Sequence, residues 1–222
     1  VYFLRTLIKE NIPLNEGCLK EVEVIIPRNS MLNPSFPSPV VAGNVETSQT
    51  LIDILNGAIN VQAACYGTMS NVTFGDTKFG YYETICGGEG ASKYNNGTDA
   101  VHCHMTNTSI TDPEILEWNY PARIISFSIR KGSGGNGKCK GGNGTTREIE
   151  FLKNLSLTIL SNRRKIYPFG LKGGNAGKKG INSIYKNKVK VILPSNCSIK
   201  VKSGDILKIE TPGGGGYGKI NY

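Results

Sequence analysis

The two histidines of the chain, His102 and His104, lie two residues apart in a run of polar residues. On a β-strand this spacing places both imidazoles on one face. Asp99 lies close by, and Glu83 could return from a neighbouring strand. Two histidines with a carboxylate can transfer protons or bind a divalent metal, although they can also simply hold a loop together. We predict four catalytic residues and no bound metal: Glu83, Asp99, His102 and His104.

The glycine-rich run Cys86–Gly90 (CGGEG) resembles a loop whose backbone amides face an anion. It is not a phosphate-binding Walker A loop, because no G-K-[ST] follows. We predict that Gly87 and Gly88 bind substrate through their backbone. The later run Thr211–Gly218 (TPGGGGYG) has three interpretations, which are a tight turn, a terminus packed under a partner, and a close approach of backbone to substrate.

Arg163 and Arg164 are adjacent in the sequence SNRRK. Paired arginines can bind a carboxylate or a phosphate through bidentate hydrogen bonds. The alternative is a structural pair with carboxylates such as Asp112 or Glu150. We predict that both arginines contribute to substrate binding.

Composition excludes several classes of protein. The chain has 222 residues and a formal net charge of +9, but its lysines are scattered with few interleaved aromatic residues, so we expect no nucleic-acid partner. It contains no 18-residue apolar run, so we expect no membrane span. None of the six cysteines forms a C-x-x-C pair, which favours reduced thiols in a cytoplasmic protein.

The periodicity of apolar residues predicts an α+β fold that is rich in β-strands. The strongest helical pattern covers residues 46–64, and a short helix follows the capping pair Asp112-Pro113. Short alternating segments separated by glycine-rich turns predict mostly antiparallel strands. These predicted strands are 21–26, 68–74, 79–86, 123–130, 146–151, 156–160, 189–192 and 206–209. We predict two subregions, a helix-containing part at 1–118 and a β-rich part at 119–222.

Several strings of this sequence, in one order over nearly the whole chain, resemble the hydantoinase B/5-oxoprolinase family. The strings include GNVETSQTLID, YYETICGGEGA, GTDAVHCHMTNT and ETPGGGGYG. They fall in the ranges Asn33–Asp53, Gly67–Gly75, Tyr81–Ala91, Gly97–Glu117, Arg130–Gly144, Leu160–Gly174 and Ile209–Gly218. Long glycine-rich strings in this combination are unusual.

The resemblance implies a component of an ATP-dependent enzyme that opens a small cyclic amide, a lactam or a hydantoin. It implies ATP and Mg²⁺ at a partner A-type subunit, and none bound by this chain. Family members are far longer, so the resemblance also implies that the chain is a carboxy-terminal portion that works with the amino-terminal half of a B-type subunit. Asn162 stands where the family has an Asp. The alternative is an inactive remnant or a non-catalytic interaction module.

Overall fold

The computed structural model describes residues 1–8, 10–11, 13 and 15–220, and it divides the chain into two compact units at Gly43/Asn44. Unit 1, residues 1–43, contains helix α1 (Tyr2–Leu7) and a 3₁₀ helix (Glu16–Leu19). The prediction of a strand at 21–26 is wrong, because these residues form no regular element. Their apolar side chains, such as Ile25, are exposed to solvent instead of packing against a neighbouring strand.

The main helix of unit 2 is shorter than predicted. A single π-helical turn (Gly43–Thr47) leads into α2 (Ser48–Ala58), so the helix predicted at 46–64 ends six residues early. The helix stops because Asn60 adopts a left-handed φ of 60°, and the chain then joins other segments through the hydrogen bond from Ala63 N to Ala91 O. No helix in the described ranges is long and apolar enough to cross a bilayer.

Among the described residues of unit 2, nine strands form two antiparallel sheets, which confirms the predicted β-rich α+β fold. The four-stranded sheet has the order β2 (Gly80–Glu83), β1 (Asn71–Gly75), β5 (Leu155–Leu160) and β8 (Asn196–Val201). The five-stranded sheet has the order β3 (Ala122–Ile129), β4 (Thr145–Phe151), β9 (Ile206–Glu210), β6 (Ile181–Lys186) and β7 (Val189–Leu193). Helix α3 (Pro113–Asn119) precedes β3, and Asp112 caps it as predicted.

The pairing of strands does not follow the two predicted subregions. In the first sheet Thr73 of β1 pairs with Thr158 of β5, so strands from both sides of residue 118 share one sheet. The structure divides the chain after Gly43 and not near residue 118.

The apolar core lies between the two sheets. Alternation along β4 and β5 turns every second side chain inward, as in a two-layer sandwich. Phe74 of β1 packs against Tyr81 and Phe151, with ring centroids 4.8 and 5.4 Å apart. The loops at the ends of the strands are positioned on the scaffold that this core forms.

The glycine-rich runs pack against one another rather than forming surface turns. We call this region the glycine bundle, and it comprises segments 63–67, 86–91, 133–144, 168–178 and 211–218. Gly214 N–H donates to Gly142 O at 2.9 Å, and Gly142 N–H donates to Glu89 O at 2.8 Å. Residues 211–217 are buried, so the run TPGGGGYG is packed inside the protein and is not an exposed turn.

Candidate functional site

Asp53 is the centre of a buried polar cluster that the sequence did not predict. Its carboxylate is fully buried on the inner side of α2, together with Gln49, Ile52 and Asn56. Oδ1 accepts a hydrogen bond from Cys65 N–H at 2.9 Å and lies 3.3 Å from His104 Nε2. Oδ2 accepts a hydrogen bond from Arg163 Nη2 at 3.0 Å. One carboxylate therefore joins helix α2 to three loops.

His104 lies in this cluster in a constrained conformation. Its φ of 53° is in the left-handed region that non-glycine residues seldom adopt. Burial disfavours the imidazolium, but contacts with Asp53 and Cys65 outweigh burial and raise the pKa of His104 to about 10. At neutral pH a proton is thus held among these three side chains.

His102 contacts a different partner, because residues 102–104 are not a β-strand. Its Nδ1 lies 3.3 Å from the hydroxyl of Tyr66, and burial lowers the pKa of His102 below its usual value. Gln49 of α2 fixes this loop by donating hydrogen bonds to Cys103 O and to Thr106. The prediction that both imidazoles share one strand face is therefore wrong, although both lie on one loop beside consecutive residues Cys65 and Tyr66.

Two thiols adjoin the cluster. Cys65 and Cys103 are buried in one small group with Tyr66. Contact with the Cys103 thiol, together with burial, raises the pKa of the Cys65 thiol. Neither thiol is in a disulfide.

The two predicted substrate-binding arginines point to different neighbours. Arg163 pairs with Asp53, and its Nε is buried without a hydrogen-bond partner among the described residues. Arg164 is partly buried and donates to Asn182 Oδ1 from Nε at 3.0 Å and from Nη2 at 2.7 Å. Burial lowers the pKa of Arg164 to about 10, and the carboxylate of Glu46 opposes that shift. Neither arginine pairs with Asp112 or Glu150.

Glu46 is a second buried carboxyl group that the sequence reasoning missed. It lies in the π-helical turn, where Oε1 accepts hydrogen bonds from Thr68, Met69 N–H and Asn71 at 2.8 to 3.1 Å. Oε2 is buried and has no hydrogen-bond partner in the part of the chain that is described. Burial raises the pKa of Glu46 to about 7, although these donors and Arg164 act in the opposite direction.

The raised pKa of Glu46 predicts a pH dependence of stability. The folded chain binds this proton more tightly than the unfolded chain, so the stabilisation is present below the ordinary pKa of 4.5 and is lost as pH rises through about 7. The free energy of unfolding falls by about 3 kcal/mol over this range, because a change of one in pKa corresponds to about 1.4 kcal/mol. Urea unfolding between pH 4.5 and 8 should show this slope in the wild-type chain relative to Glu46→Gln. If the free energy of unfolding changes with pH in the same way for the two proteins, this prediction is contradicted.

The other predicted catalytic residues have structural partners. Asp99 Oδ1 accepts hydrogen bonds from the backbone N–H and the side-chain amide of Asn143, at 2.6 and 3.2 Å. Glu83 is buried in the sheet, where it receives two hydrogen bonds from Arg147 and one from Tyr81. The carboxylate beside His104 belongs to Asp53, not to either predicted residue.

The predicted anion-binding amides of Gly87 and Gly88 are used within the protein. Gly87 N–H donates to Val101 O at 3.3 Å, and Gly88 N–H donates to Pro212 O at 3.0 Å. The amide of Gly88 therefore joins two segments of the glycine bundle, and the amide of Gly87 joins the bundle to Val101. A Cβ at Gly87 would collide with the ring of Tyr66, so this glycine instead allows Tyr66 to approach the backbone closely.

A cavity of about 720 Å³ lies elsewhere, along β1 and β5. Its lining includes Thr73, Asp76, Ser156 and Lys200, and none of the residues of the Asp53 cluster. The buried cluster is therefore not part of this cavity.

The chain is similar to proteins of known name over almost its whole length. It is 51% identical over 220 residues to the 5-oxoprolinase of Dictyostelium discoideum, covering 99% of this chain and 17% of that protein. It is 51% identical over 219 residues to 5-oxoprolinase 1 of Arabidopsis thaliana, covering 98% of this chain and again 17% of the relative. The chain thus spans about a sixth of the length of these relatives.

The fold is similar to that of the ATP-dependent caprolactamase from Pseudomonas jessenii, with a TM-score of 0.84 and 24% identity. This match covers 98% of the chain and 42% of the caprolactamase chain. The family model described as hydantoinase B/oxoprolinase matches residues 1–220. The chain therefore belongs to the hydantoinase B/oxoprolinase family.

Proposed function

We propose that the chain is a component of an ATP-dependent enzyme that opens a cyclic amide of the 5-oxoproline or hydantoin type. Family membership and the names of its relatives support this reaction class. The observation that carries the proposal is the buried network around Asp53, in which His104 and Arg163 converge on one carboxylate. Groups with strongly shifted pKa values, such as His104 in this network, cluster at functional sites.

The residues around Asp53 offer the groups that such a reaction needs. Opening the ring breaks the amide C–N bond, adds water at the carbonyl carbon and places a proton on the leaving nitrogen. His102 is kept neutral by burial and hydrogen-bonded to Tyr66, so it can accept and return a proton. The unpartnered Nε of Arg163 can donate to an anionic oxygen of the substrate.

The remaining parts of the enzyme lie on other polypeptide segments in this proposal. Activation by ATP and Mg²⁺ takes place on an A-type partner, and the amino-terminal portion of a B-type subunit completes the site. The relatives are much longer than this chain, which supports a shared site. The free state of all six cysteines suits the cytoplasm that we proposed from the sequence.

The test is reconstitution. We expect ATP-dependent release of glutamate from 5-oxoproline only when the chain is combined with a B-type amino-terminal portion and an A-type partner. The matched control is a full-length relative under the same conditions. Activity of that relative with none from the reconstituted set would contradict the proposal.

A non-catalytic interaction module is the second candidate. Unit 1 favours it, because this unit exposes large apolar side chains, including Ile25, Met31 and Phe36, at 79%, 79% and 98% of their surface. If the chain binds the other components but the reconstituted set does not open the ring of 5-oxoproline, this second function accounts for the chain.

A further inference from the structure

We propose that Asp53, Cys65 and His104 bind one Zn²⁺ ion. A carboxylate oxygen, the thiol sulfur and an imidazole nitrogen of these residues all lie within 4.8 Å of one another. Tetrahedral zinc, with bonds of about 2.0–2.3 Å, places its ligand atoms about 3–4 Å apart. Small rotations of these side chains are therefore sufficient to complete the geometry.

The mixture of donor atoms selects the metal. Mg²⁺ and Ca²⁺ prefer sites made of oxygen alone, whereas nitrogen and thiolate sulfur suit zinc. The carboxylate of Asp53 and the thiolate of Cys65 offset the two positive charges of the ion, and the Arg163 guanidinium adds one further positive charge beside Asp53.

The surroundings hold the ligands as a metal site requires. Arg163 hydrogen-bonds Oδ2 of Asp53, which leaves Oδ1 directed toward His104 and Cys65. Such outer contacts orient the ligands of most protein metal sites. Cys103 lies in the same small buried group as Cys65 but is not one of the three ligands, so the fourth position of a tetrahedral site is left to water or another small ligand.

The site could not be found from spacing in the sequence, because its ligands lie on a helix and two loops. Cys65 follows Asp53 by 12 residues, and His104 follows Asp53 by 51. The proposal goes beyond ring opening and does not depend on it, because zinc binding is measured without turnover.

The experiment uses the untagged full chain, incubated with excess Zn²⁺, desalted and analysed by elemental mass spectrometry. We expect about one zinc per wild-type chain, and loss of that zinc in Cys65→Ser and Asp53→Asn. Cys139→Ser is the matched control, since Cys139 is a buried thiol packed with Ala91 and Tyr217 elsewhere in the protein. It should keep the metal.

Substitution with Co²⁺ gives an independent readout. The wild-type chain should show intense tetrahedral absorption bands and a thiolate-to-cobalt band in the near ultraviolet, and Cys65→Ser should lack the thiolate band. Absence of stoichiometric zinc from the folded wild-type chain would overturn the proposal. Retention of zinc by both folded ligand variants would also overturn it. If the variants do not fold, the wild-type stoichiometry and the cobalt spectrum decide.

Discussion

Glu83→Gln should destabilise the chain by about 3–5 kcal/mol, because it leaves a buried arginine without its counter-charge. Arg147 is 1% exposed and donates to both carboxylate oxygens of Glu83, at 2.8 and 3.1 Å. The amide of Gln keeps the volume of the side chain but not its charge. Urea unfolding monitored by circular dichroism measures the loss, which is a large part of the roughly 5–15 kcal/mol that holds a typical domain together.

Glu150→Gln is the matched control for this prediction. It breaks an ion pair with Arg123 that is 3.6 Å long and in which Arg123 is 58% exposed. A pair in that setting contributes at most about 1 kcal/mol. The double replacement Glu83→Leu with Arg147→Met should recover much of the lost stability, since it removes both buried charges. If Glu83→Gln lowers the free energy of unfolding no more than Glu150→Gln does, the structural role assigned to Glu83 is wrong.

Gly88→Ala should have a comparable effect on folding through sterics alone. A Cβ at this position would overlap the carbonyl oxygen of Gly142 and lie 2.5 Å from Gly214 N. Both neighbours are backbone of the glycine bundle and are tied into hydrogen bonds, so neither can move aside easily. We expect a loss of at least about 3 kcal/mol, or no soluble folded chain.

Gly80→Ala tests whether that loss comes from the bundle. Gly80 lies in strand β2, and a Cβ there would meet no atom within 4 Å. The substitution should be nearly neutral, or slightly stabilising because it restricts the unfolded chain. Equal thermal stability of the Gly88→Ala and Gly80→Ala proteins would show that the glycine bundle tolerates side chains.

The sequence was informative where local periodicity decides the structure. Alternation in Thr145–Phe151 predicted β4 almost to its ends, and Asp112-Pro113 marked the start of α3. Strands β6 and β8 were missed. In β6 the buried polar residues Asn182 and Ser183 break the apolar pattern. Asn182 is buried as a polar side chain because its Oδ1 accepts hydrogen bonds from Arg164. Tertiary contacts thus override the local signal.

The candidate site was only partly predictable for the same reason. His102, His104 and Arg163 stood out by residue type, but the partner that His104 and Arg163 share is Asp53, which is 51 residues before His104 and 110 residues before Arg163. One signal could have identified the candidate site. The polar residues Gln49, Asp53 and Asn56 are spaced so that they lie on one face of α2, and the structure shows that face buried. The spacing of the two histidines gave no sign of the left-handed conformation of His104.

The most direct test of the Asp53 cluster compares two carboxylates in the reconstituted enzyme. Asp53→Asn removes the charge that His104 and Arg163 share, whereas Asp99→Asn keeps an oxygen that can still accept from Asn143. The cluster predicts that Asp53→Asn lowers ATP-dependent ring opening by about 100-fold or more, with Asp99→Asn within about threefold of wild type. Equal activity of the two folded variants would contradict a functional role for the cluster.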